Sequence, residues 1–206
     1  RLPVDFAQLQ AEAPDIYAWL ELPDTGIDDP VLQRAGADLF YNSHNAYGQY
    51  YMCGAVFSQS AYNGRNFDSP MTVLYGHSTV LGQPGAFMEL NNYADEAYFD
   101  AHREMRVYMP DGMYVYRIFA ACVHSNEHLL YCHDFSDETQ FDAFFSSLTE
   151  DTSPDSHIDA EALPQAGDKV LTLSTCYSAN KNLRYLVMGV LEEFVPTAEA
   201  AGREAA

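Results

Sequence analysis

The sequence predicts a single, mainly β domain, either a barrel or a sandwich, accompanied by a few helices. The chain has 206 residues, and its 48% hydrophobic and 14% aromatic content is enough for one sizeable core and argues against disorder. From residue 54 onward, segments rich in β-branched and aromatic residues dominate. No internal repeat or linker-like composition divides the chain, so we expect no second globular domain.

The N-terminal segment, residues 1–22, is predicted to be helical and to pack on the domain. Apolar side chains recur there at helical spacing, and Pro14 suits the first turn of a second short helix. Residues 23–26 are of turn-forming types and lead into an extended run over residues 27–33. We therefore expect two short helices, a turn and then an extended segment.

Five segments carry the strand signal: residues 54–59, 71–77, 104–123, 169–176 and 183–194. The third of them is predicted to fold as a hairpin, because Pro110, Asp111 and Gly112 are turn residues between two alternating runs. Strands at this density are typical of a barrel or a sandwich.

One long helix is predicted over residues 136–149, after the hairpin of residues 104–123 and before the strand segment 169–176. Asp137 and Gln140 are spaced as a capping box at its start. Its apolar residues fall on one face, which we expect to be buried: Phe141, Phe144, Phe145 and Leu148. Residues 85–102 are predicted to hold one or two shorter helices, and residues 196–206 to form a disordered tail.

The charge of the chain excludes several classes of partner. Thirty acidic residues against ten basic ones give a formal charge of −20, which repels nucleic acid and anionic membrane surfaces. The acidic residues are scattered, as on a solvated surface. No run of eighteen apolar residues is present, so the chain as given is not expected to span a membrane.

Three residues form a set suited to acyl transfer. Cys176 ends a β-type run and precedes a polar loop, which favours an accessible thiol. His77 ends another such run, and Arg184 opens the last one, eight residues after Cys176. A thiol nucleophile, a proton-transferring imidazole and a fixed cation suffice for acyl transfer. Taken singly, each residue could equally be a surface or packing residue.

The motifs around these residues resemble the sortases, the cysteine transpeptidases that attach proteins to cell walls. "LTLSTC" is followed by Arg184 in "NLRYLVMGVL", and "TVLYGH" lies about a hundred residues upstream. The similarity extends to "IYAWLEL", "IDDPVLQ", "GAVF" and "FMEL", and covers about residues 14–194. The N-terminal helices and the helix 136–149 are similar to those of the class B sortases.

The resemblance implies a closed eight-stranded β-barrel, placed at residues 23–195, and a role for each residue of the set. Cys176 is identified as the nucleophile and His77 as the proton-transfer group, while Arg184 stabilises the oxyanion. The short loop between Cys176 and Arg184, which contains Lys181, departs from the family pattern. Six further residues match substrate-groove positions: Tyr75, Ser174, Thr175, Leu130, Tyr131 and Asn45.

The resemblance also implies the partners and the setting. The substrate is a sorting-motif peptide of secreted surface proteins or pilins, and the acceptor is an amine of the peptidoglycan cross-bridge or of a pilin lysine. We expect a monomer without cofactors, on the extracellular face of a Gram-positive cell membrane, with its membrane anchor elsewhere in the full-length protein. The alternatives are a non-catalytic peptide-binding module and a plain cysteine protease.

Residues 122–133 contain Cys122, His124, His128, Cys132 and His133, enough donors for a tetrahedral zinc site. Their spacing fits no standard zinc finger, however, and the resemblance implies no metal. In an extracellular protein a disulfide between the two cysteines is a stronger expectation than zinc, and two reduced thiols are the open alternative. The remaining cysteine, at position 53, is predicted to be a small packing residue.

The pentapeptide at residues 22–26, LPDTG, matches the LPxTG signal that sortases cleave. In a wall-sorting substrate this signal lies near the C-terminus, ahead of an apolar stretch and a basic tail. Here an acidic segment and nearly the whole predicted catalytic domain follow it. We interpret the match as turn chemistry and not as a sorting signal.

Overall fold

A computed structural model describes residues 4–197, which contain eleven strands and four short α-helices. The strands are β1 (Ile16–Glu21), β2 (Asp28–Leu32), β3 (Val56–Phe57), β4 (Met71–Tyr75), β5 (Thr79–Val80), β6 (Gln83–Pro84), β7 (Glu104–Met109), β8 (Gly112–His124), β9 (His157–Ile158), β10 (Val170–Cys176) and β11 (Arg184–Pro196). The helices are α1 (Phe6–Glu12), α2 (Glu96–Ala101), α3 (Leu129–Cys132) and α4 (Glu138–Ser147). Single 3₁₀ turns or short 3₁₀ helices lie at Phe40–Asn42, Met88–Ala94, Leu148–Glu150 and Ala160–Ala162.

Eight of the strands close into a barrel, as the family resemblance implies. The sheet runs in the order β11-β10-β4-β3-β2-β1-β7-β8, and β8 then pairs with β11 to complete the ring. This closing contact is a long antiparallel ladder that extends from Arg184 opposite His124 to Pro196 opposite Gly112. The two-residue strand β9 adds to the side of β8, and β5 and β6 form a separate hairpin. A closed ring leaves few unpaired strand edges.

The N-terminal segment corrects one prediction. α1 forms as expected, and its N-cap Asp5 accepts a hydrogen bond from the Gln8 backbone N–H at 3.1 Å. The second predicted helix is wrong, because Ile16–Glu21 is strand β1 and pairs with both β2 and β7. Its aromatic and β-branched residues fit a sheet, and burial of Tyr17 and Leu20 inside the barrel outweighs their helical spacing. The barrel therefore begins before residue 23.

The chain has a core inside the barrel, another outside it and a smaller third cluster that contains Tyr41 and Phe57. The inner core includes Leu171 and Leu173 of β10 and Tyr185 of β11. The outer core lies between α4 and the neighbouring face of the barrel, and it contains Leu186 and Met188 of β11. As predicted, the buried face of the α4 region consists of Phe141, Phe144, Phe145 and Leu148. Alternate residues of one strand thus face different cores.

The cap of α4 is half of a capping box. The Asp137 side chain accepts from the backbone N–H groups of Thr139 and Gln140 at 2.9 and 3.1 Å. The Gln140 side chain accepts instead from the Asp134 backbone N–H at 3.3 Å, so it does not return to residue 137. The helix ends at Ser147 and continues as the 3₁₀ turn Leu148–Glu150, which agrees with the predicted span.

The predicted hairpin and the predicted short helices are confirmed, whereas the start of the predicted disordered tail is wrong, because residues 196 and 197 are ordered. Pro110 and Asp111 connect β7 to β8, where Met109 lies opposite Gly112. Residues 85–102 contain the 3₁₀ helix Met88–Ala94 followed by α2. Of the predicted tail, Pro196 ends β11 and the Thr197 N–H donates to the Asp111 carbonyl at 2.8 Å. Residues 198–206 lie outside the described residues.

Candidate active site

Three strand ends bring the predicted set of residues together. β4 and β10 are parallel neighbours with Tyr75 opposite Ser174, so the carboxyl ends of both strands meet at one edge of the barrel. His77 follows β4 by two residues, and Cys176 is the last residue of β10. β11 returns antiparallel, which places Arg184 opposite Cys176. All three side chains line one pocket of about 270 Å³.

Arg184 contacts the thiol of Cys176. Its Nη1 atom lies 3.8 Å from the Cys176 Sγ atom. The same nitrogen lies 3.4 Å from the Lys181 carbonyl oxygen and 3.2 Å from that of Leu183. These backbone acceptors hold the guanidinium over the loop between the two residues, so a positive charge is fixed beside the sulfur. A planar cation in this position can stabilise negative charge that develops on an acyl oxygen.

The hydrogen bond of His77 determines which of its nitrogens can exchange a proton. Its Nε2 atom lies 2.8 Å from the Asn42 carbonyl oxygen. A carbonyl oxygen can only accept, so Nε2 carries a hydrogen and donates it. In the neutral ring Nδ1 is then the basic nitrogen. Nδ1 is therefore the atom available for proton transfer with a reacting group in the pocket.

The backbone of His77 is held by the segment that follows the β5–β6 hairpin. The Phe87 N–H donates to the His77 carbonyl at 3.0 Å, and the Gly85 N–H donates to the Ser78 carbonyl at 2.7 Å. A β-carbon at position 85 would collide with the His77 carbonyl group, so this close approach requires glycine. The histidine is thus fixed at both its ring and its backbone.

The pocket contains some of the predicted substrate residues and omits others. Tyr75, Ser174 and Thr175 line it. Leu130 and Tyr131 lie on the adjoining helix α3 outside the lining, and 78% of the Tyr131 side chain is exposed. Asn45 lines a separate cavity instead, next to Cys53 and Glu89. The substrate roles of these six residues remain predictions.

Tyr75 and Thr175 differ in how their hydroxyl groups are satisfied. Burial raises the pKa of Tyr75 above its ordinary value, and the nearby Tyr62 adds to the shift. Tyr75 therefore stays a neutral hydrogen-bond donor in the pocket wall at physiological pH. The Thr175 Oγ1 atom is buried and has no hydrogen-bond partner within the described part of the chain. A buried hydroxyl of this kind is destabilising unless a partner reaches it.

Sequence reasoning missed one wall of the pocket. It is built by residues at the ends of β3 and β8, around the 3₁₀ turn Phe40–Asn42, in the loop after β3 and at the start of α3: Leu39, Asn42, Phe57, Gln59, His124, His128 and Leu129. His128 is the N-cap of α3, and its Nδ1 atom accepts from the Tyr131 N–H at 3.2 Å. Its Nε2 atom therefore carries the hydrogen and donates to Gln59 Oε1 at 2.6 Å. The cluster of histidines in residues 122–133 was a signal, but it was weighed only as a set of metal donors and not as a pocket wall.

The cysteines outside the pocket are free thiols, so of the two alternatives for Cys122 and Cys132 the structure has the reduced pair and not the disulfide. Cys122 points into the outer core, where burial raises its pKa to about 12, whereas Cys132 is exposed at the end of α3. Cys53 is buried, in agreement with its predicted packing role. Within residues 4–197 no three His, Cys, Asp or Glu side chains are arranged to hold a metal ion.

The donors of the 122–133 segment have other partners. His124 and His133 both contact the Glu127 carboxylate, at 3.8 and 3.0 Å. His128 forms a hydrogen bond with Gln59.

Across the described range, no helix is both long enough and apolar enough to cross a bilayer.

Comparison with known proteins identifies the same family from most of the chain. The family model described as "Sortase domain" matches residues 20–192. Sortase B of Listeria monocytogenes is 26% identical over 172 residues, which cover 84% of this chain and 67% of that protein. Sortase B of Staphylococcus aureus is 25% identical over 175 residues, with 84% of this chain and 68% of that protein covered.

Solved structures of sortases have the same fold. Sortase B from Bacillus anthracis superposes with a TM-score of 0.75 at 26% identity, over 91% of this chain and 84% of that one. A class B sortase from Streptococcus pyogenes, described as involved in pilus biogenesis, gives a TM-score of 0.73 at 26% identity, over 92% and 98% of the two chains. Sortase B of Clostridium perfringens gives 0.74 at 23% identity, over 92% and 100%.

Proposed function

The chain belongs to the sortase family of cysteine transpeptidases, with class B members as its similar relatives, and on this premise we propose that Cys176, His77 and Arg184 carry out the transpeptidation. The observation that carries the proposal is the contact between Arg184 Nη1 and Cys176 Sγ at 3.8 Å, in a pocket that His77 also lines. A sulfur nucleophile, a fixed cation and an imidazole with a known donor nitrogen share one small volume.

In the first step the Cys176 thiol gives its proton to His77 Nδ1 as its sulfur attacks the carbonyl carbon of the threonine in a sorting motif. The carbon–sulfur bond forms while the peptide bond to the next residue breaks, which leaves a thioester on the enzyme. The departing amine takes a proton from His77, through the Nδ1 atom that the Asn42 contact leaves available.

In the second step an amine acceptor attacks the thioester carbonyl. Its nitrogen gives a proton to His77 Nδ1, a new amide bond forms, and the Cys176 sulfur leaves. The protonated His77 ring then returns this proton to the Cys176 sulfur, and both residues are back in the state from which the first step began. Water in place of the amine would give hydrolysis, so the outcome depends on which nucleophile reaches the thioester.

Arg184 stabilises the oxygen that becomes negatively charged in both tetrahedral intermediates. The hydrogen bonds to the Lys181 and Leu183 carbonyls orient its guanidinium before the substrate arrives. Preorganised donors of this kind need no rearrangement during the reaction. The short loop between Cys176 and Arg184 is therefore compatible with the family role, because the register of β10 and β11 already places the two residues opposite each other.

The partners follow from the relatives. The donor substrate is a sorting-motif peptide of a secreted protein, bound along the pocket wall that contains Tyr75, Ser174 and Thr175. The acceptor is an amine of the peptidoglycan cross-bridge. Attachment of pilins through a lysine is a second candidate, because the similar Streptococcus pyogenes enzyme is described as involved in pilus biogenesis. We place the enzyme, as a monomer, in the envelope of a Gram-positive cell, because its similar relatives are sortases of Listeria monocytogenes and Staphylococcus aureus.

A panel of labelled peptides of the LPxTG and NPxTx types tests this function. Each peptide is incubated with the enzyme alone, with an oligoglycine whose N-terminal amine is free, and with a peptide whose one free amine is a lysine side chain. We expect cleavage after threonine and a ligated product with one acceptor. Hydrolysis that neither acceptor diverts would identify a protease, and failure of every peptide to acylate Cys176 would identify a binding module.

A further inference from the structure

The 3₁₀ helix Met88–Ala94 presents one polar side chain to the catalytic edge of the barrel. Leu90 and Tyr93 of this helix, and Phe87 before it, are fully buried in the inner core. These three anchors fix the position of the helix, and Asn91 lies between two of them. Asn91 itself is half-buried, and it is not one of the residues that line the pocket.

The Asn91 amide group joins the segment of His77 to the segment of Cys176. Its Nδ2 atom lies 3.3 Å from the Cys176 carbonyl oxygen and 3.3 Å from the Ser78 hydroxyl. Its Oδ1 atom accepts a hydrogen bond from the Ser178 N–H at 2.8 Å. One side chain therefore contacts the residue after the histidine, the cysteine itself and the loop beyond it.

These contacts lie where the strand pairing ends. The register of β4 and β10 runs to Tyr75 opposite Ser174, and the Gly76 N–H then donates to the Ser174 carbonyl at 3.3 Å. His77 and Cys176 lie just past this point, where the backbone ladder no longer fixes their separation. At this point Asn91 connects the segment that follows β4, through Ser78, to the end of β10, through Cys176. These contacts take the place of a further hydrogen bond between the two strands.

We propose that Asn91 is a positioning residue for transpeptidation, which holds the Cys176 segment against the His77 segment without touching the substrate. Acyl transfer requires the sulfur and the imidazole to be placed within a fraction of an ångström, and small displacements of reacting groups lower rates steeply. This inference rests on the proposed function, because it assumes that Cys176 and His77 react with the same peptide.

The test compares Asn91→Ala with Asn92→Ala in the whole protein. Asn92 is the exposed neighbour on the same helix, and its side chain contacts Tyr98 instead. We expect Asn91→Ala to lower kcat for the best peptide about 10- to 100-fold, with KM within about twofold of wild type. Asn92→Ala should leave both constants within about twofold. Thermal unfolding of each variant establishes that the fold is intact.

Asn91→Asp provides a second readout. The carboxylate is the same size and still accepts from the Ser178 N–H, but it cannot donate to the Cys176 carbonyl and instead faces that oxygen with a negative charge. We expect kcat to fall at least as far as in Asn91→Ala, although the fold is retained. If both variants keep kcat within twofold of wild type, or if KM rises in proportion to the loss, Asn91 has no positioning role.

Hydrogen exchange separates this inference from the proposed function. We expect faster exchange of the Ser178 amide in Asn91→Ala and no change there in Asn92→Ala. If the wild-type enzyme acylates no peptide, the proposed function fails while this exchange result still tests the bridge. Unchanged exchange at Ser178 would overturn the inference whatever the activity of the enzyme.

Discussion

The guanidinium of Arg184 lies 3.8 Å from the sulfur of Cys176, because the two residues are opposite each other in the register of β10 and β11. A lysine at position 184 would keep the charge but not the planar set of donors that the Lys181 and Leu183 carbonyls orient. We predict that Arg184→Lys lowers kcat/KM for the peptide at least 10-fold, and that Arg184→Ala lowers it about 100-fold or more. Steady-state kinetics with a labelled peptide measure both effects.

Lys181→Ala is the matched control for this prediction. It removes the neighbouring cation but keeps the backbone carbonyl that Arg184 contacts. Its kcat/KM should stay within about threefold of wild type. If Lys181→Ala reduces kcat/KM as strongly as Arg184→Lys, the general positive charge of the loop matters, and the orientation of the Arg184 guanidinium does not.

The pocket wall at the start of α3 gives a second prediction. The His128 ring accepts the Tyr131 N–H and donates to Gln59, so it connects the helix to the loop after β3. We expect His128→Ala to raise the KM for the peptide about 10-fold, because the wall loses both hydrogen bonds. Tyr131→Ala, whose side chain is 78% exposed outside the pocket, should change KM less than twofold. The opposite order would support the predicted groove role of Tyr131 and contradict that of His128.

The sequence could predict the catalytic edge because its signals are local. Cys176 and His77 each end an apolar run before polar residues, which is how a strand end appears in a sequence. The hairpin at Pro110 and the buried face of α4 follow from turn chemistry and from helical spacing in the same way. The family resemblance then supplied the closed barrel, which local patterns left open between a barrel and a sandwich.

The remaining features depend on contacts between distant residues. Residues 16–21 have a spacing that fits either a helix or a strand, and pairing with β2 and β7 decides in favour of a strand. Gln59 and His128 are 69 positions apart and meet only in the folded chain. The contacts of Asn91 with Ser78 and Cys176 likewise have no sequence signature. Tertiary packing therefore had to supply both the first strand and the pocket wall.

Asp29 in β2 makes folding stability depend on pH. Burial raises its pKa from 3.8 to about 6, with a smaller contribution from the charge of Asp28. A carboxyl whose pKa is raised on folding stabilises the native state below about pH 4, and this contribution is lost as the pH rises towards 6. We predict that Asp29→Asn increases the free energy of unfolding at pH 7 by about 1 to 3 kcal/mol.

The gain from Asp29→Asn should vanish near pH 3.5, where the native carboxyl is already neutral. Asp24→Asn is the control, because residue 24 is exposed in a turn and its positive φ of 62° tolerates asparagine. Urea unfolding at both pH values measures the effect. A gain of the same size at pH 3.5 and pH 7 would mean that titration of Asp29 is not its cause.

The LPDTG turn at residues 22–26 should resist the enzyme's own chemistry. The Thr25 hydroxyl donates to the Leu22 carbonyl at 2.8 Å, and the Gly26 N–H donates to Glu89 at 2.9 Å. This closed turn cannot extend along a groove as a peptide substrate does. We predict a single intact mass after prolonged incubation of the wild-type protein. Fragments cut between residues 25 and 26 that are absent from a Cys176→Ala sample would contradict this prediction.

The central claim is that Cys176 forms a thioester with the threonine of a sorting motif. Intact-mass spectrometry of the enzyme, mixed with its best peptide in the absence of an acceptor and quenched in acid, tests it most directly. We expect a mass increase equal to the peptide acyl group, located on Cys176, lost on addition of an amine and absent from Cys176→Ala. Turnover of the peptide by Cys176→Ala, or an acyl group located on Cys132, would contradict the claim.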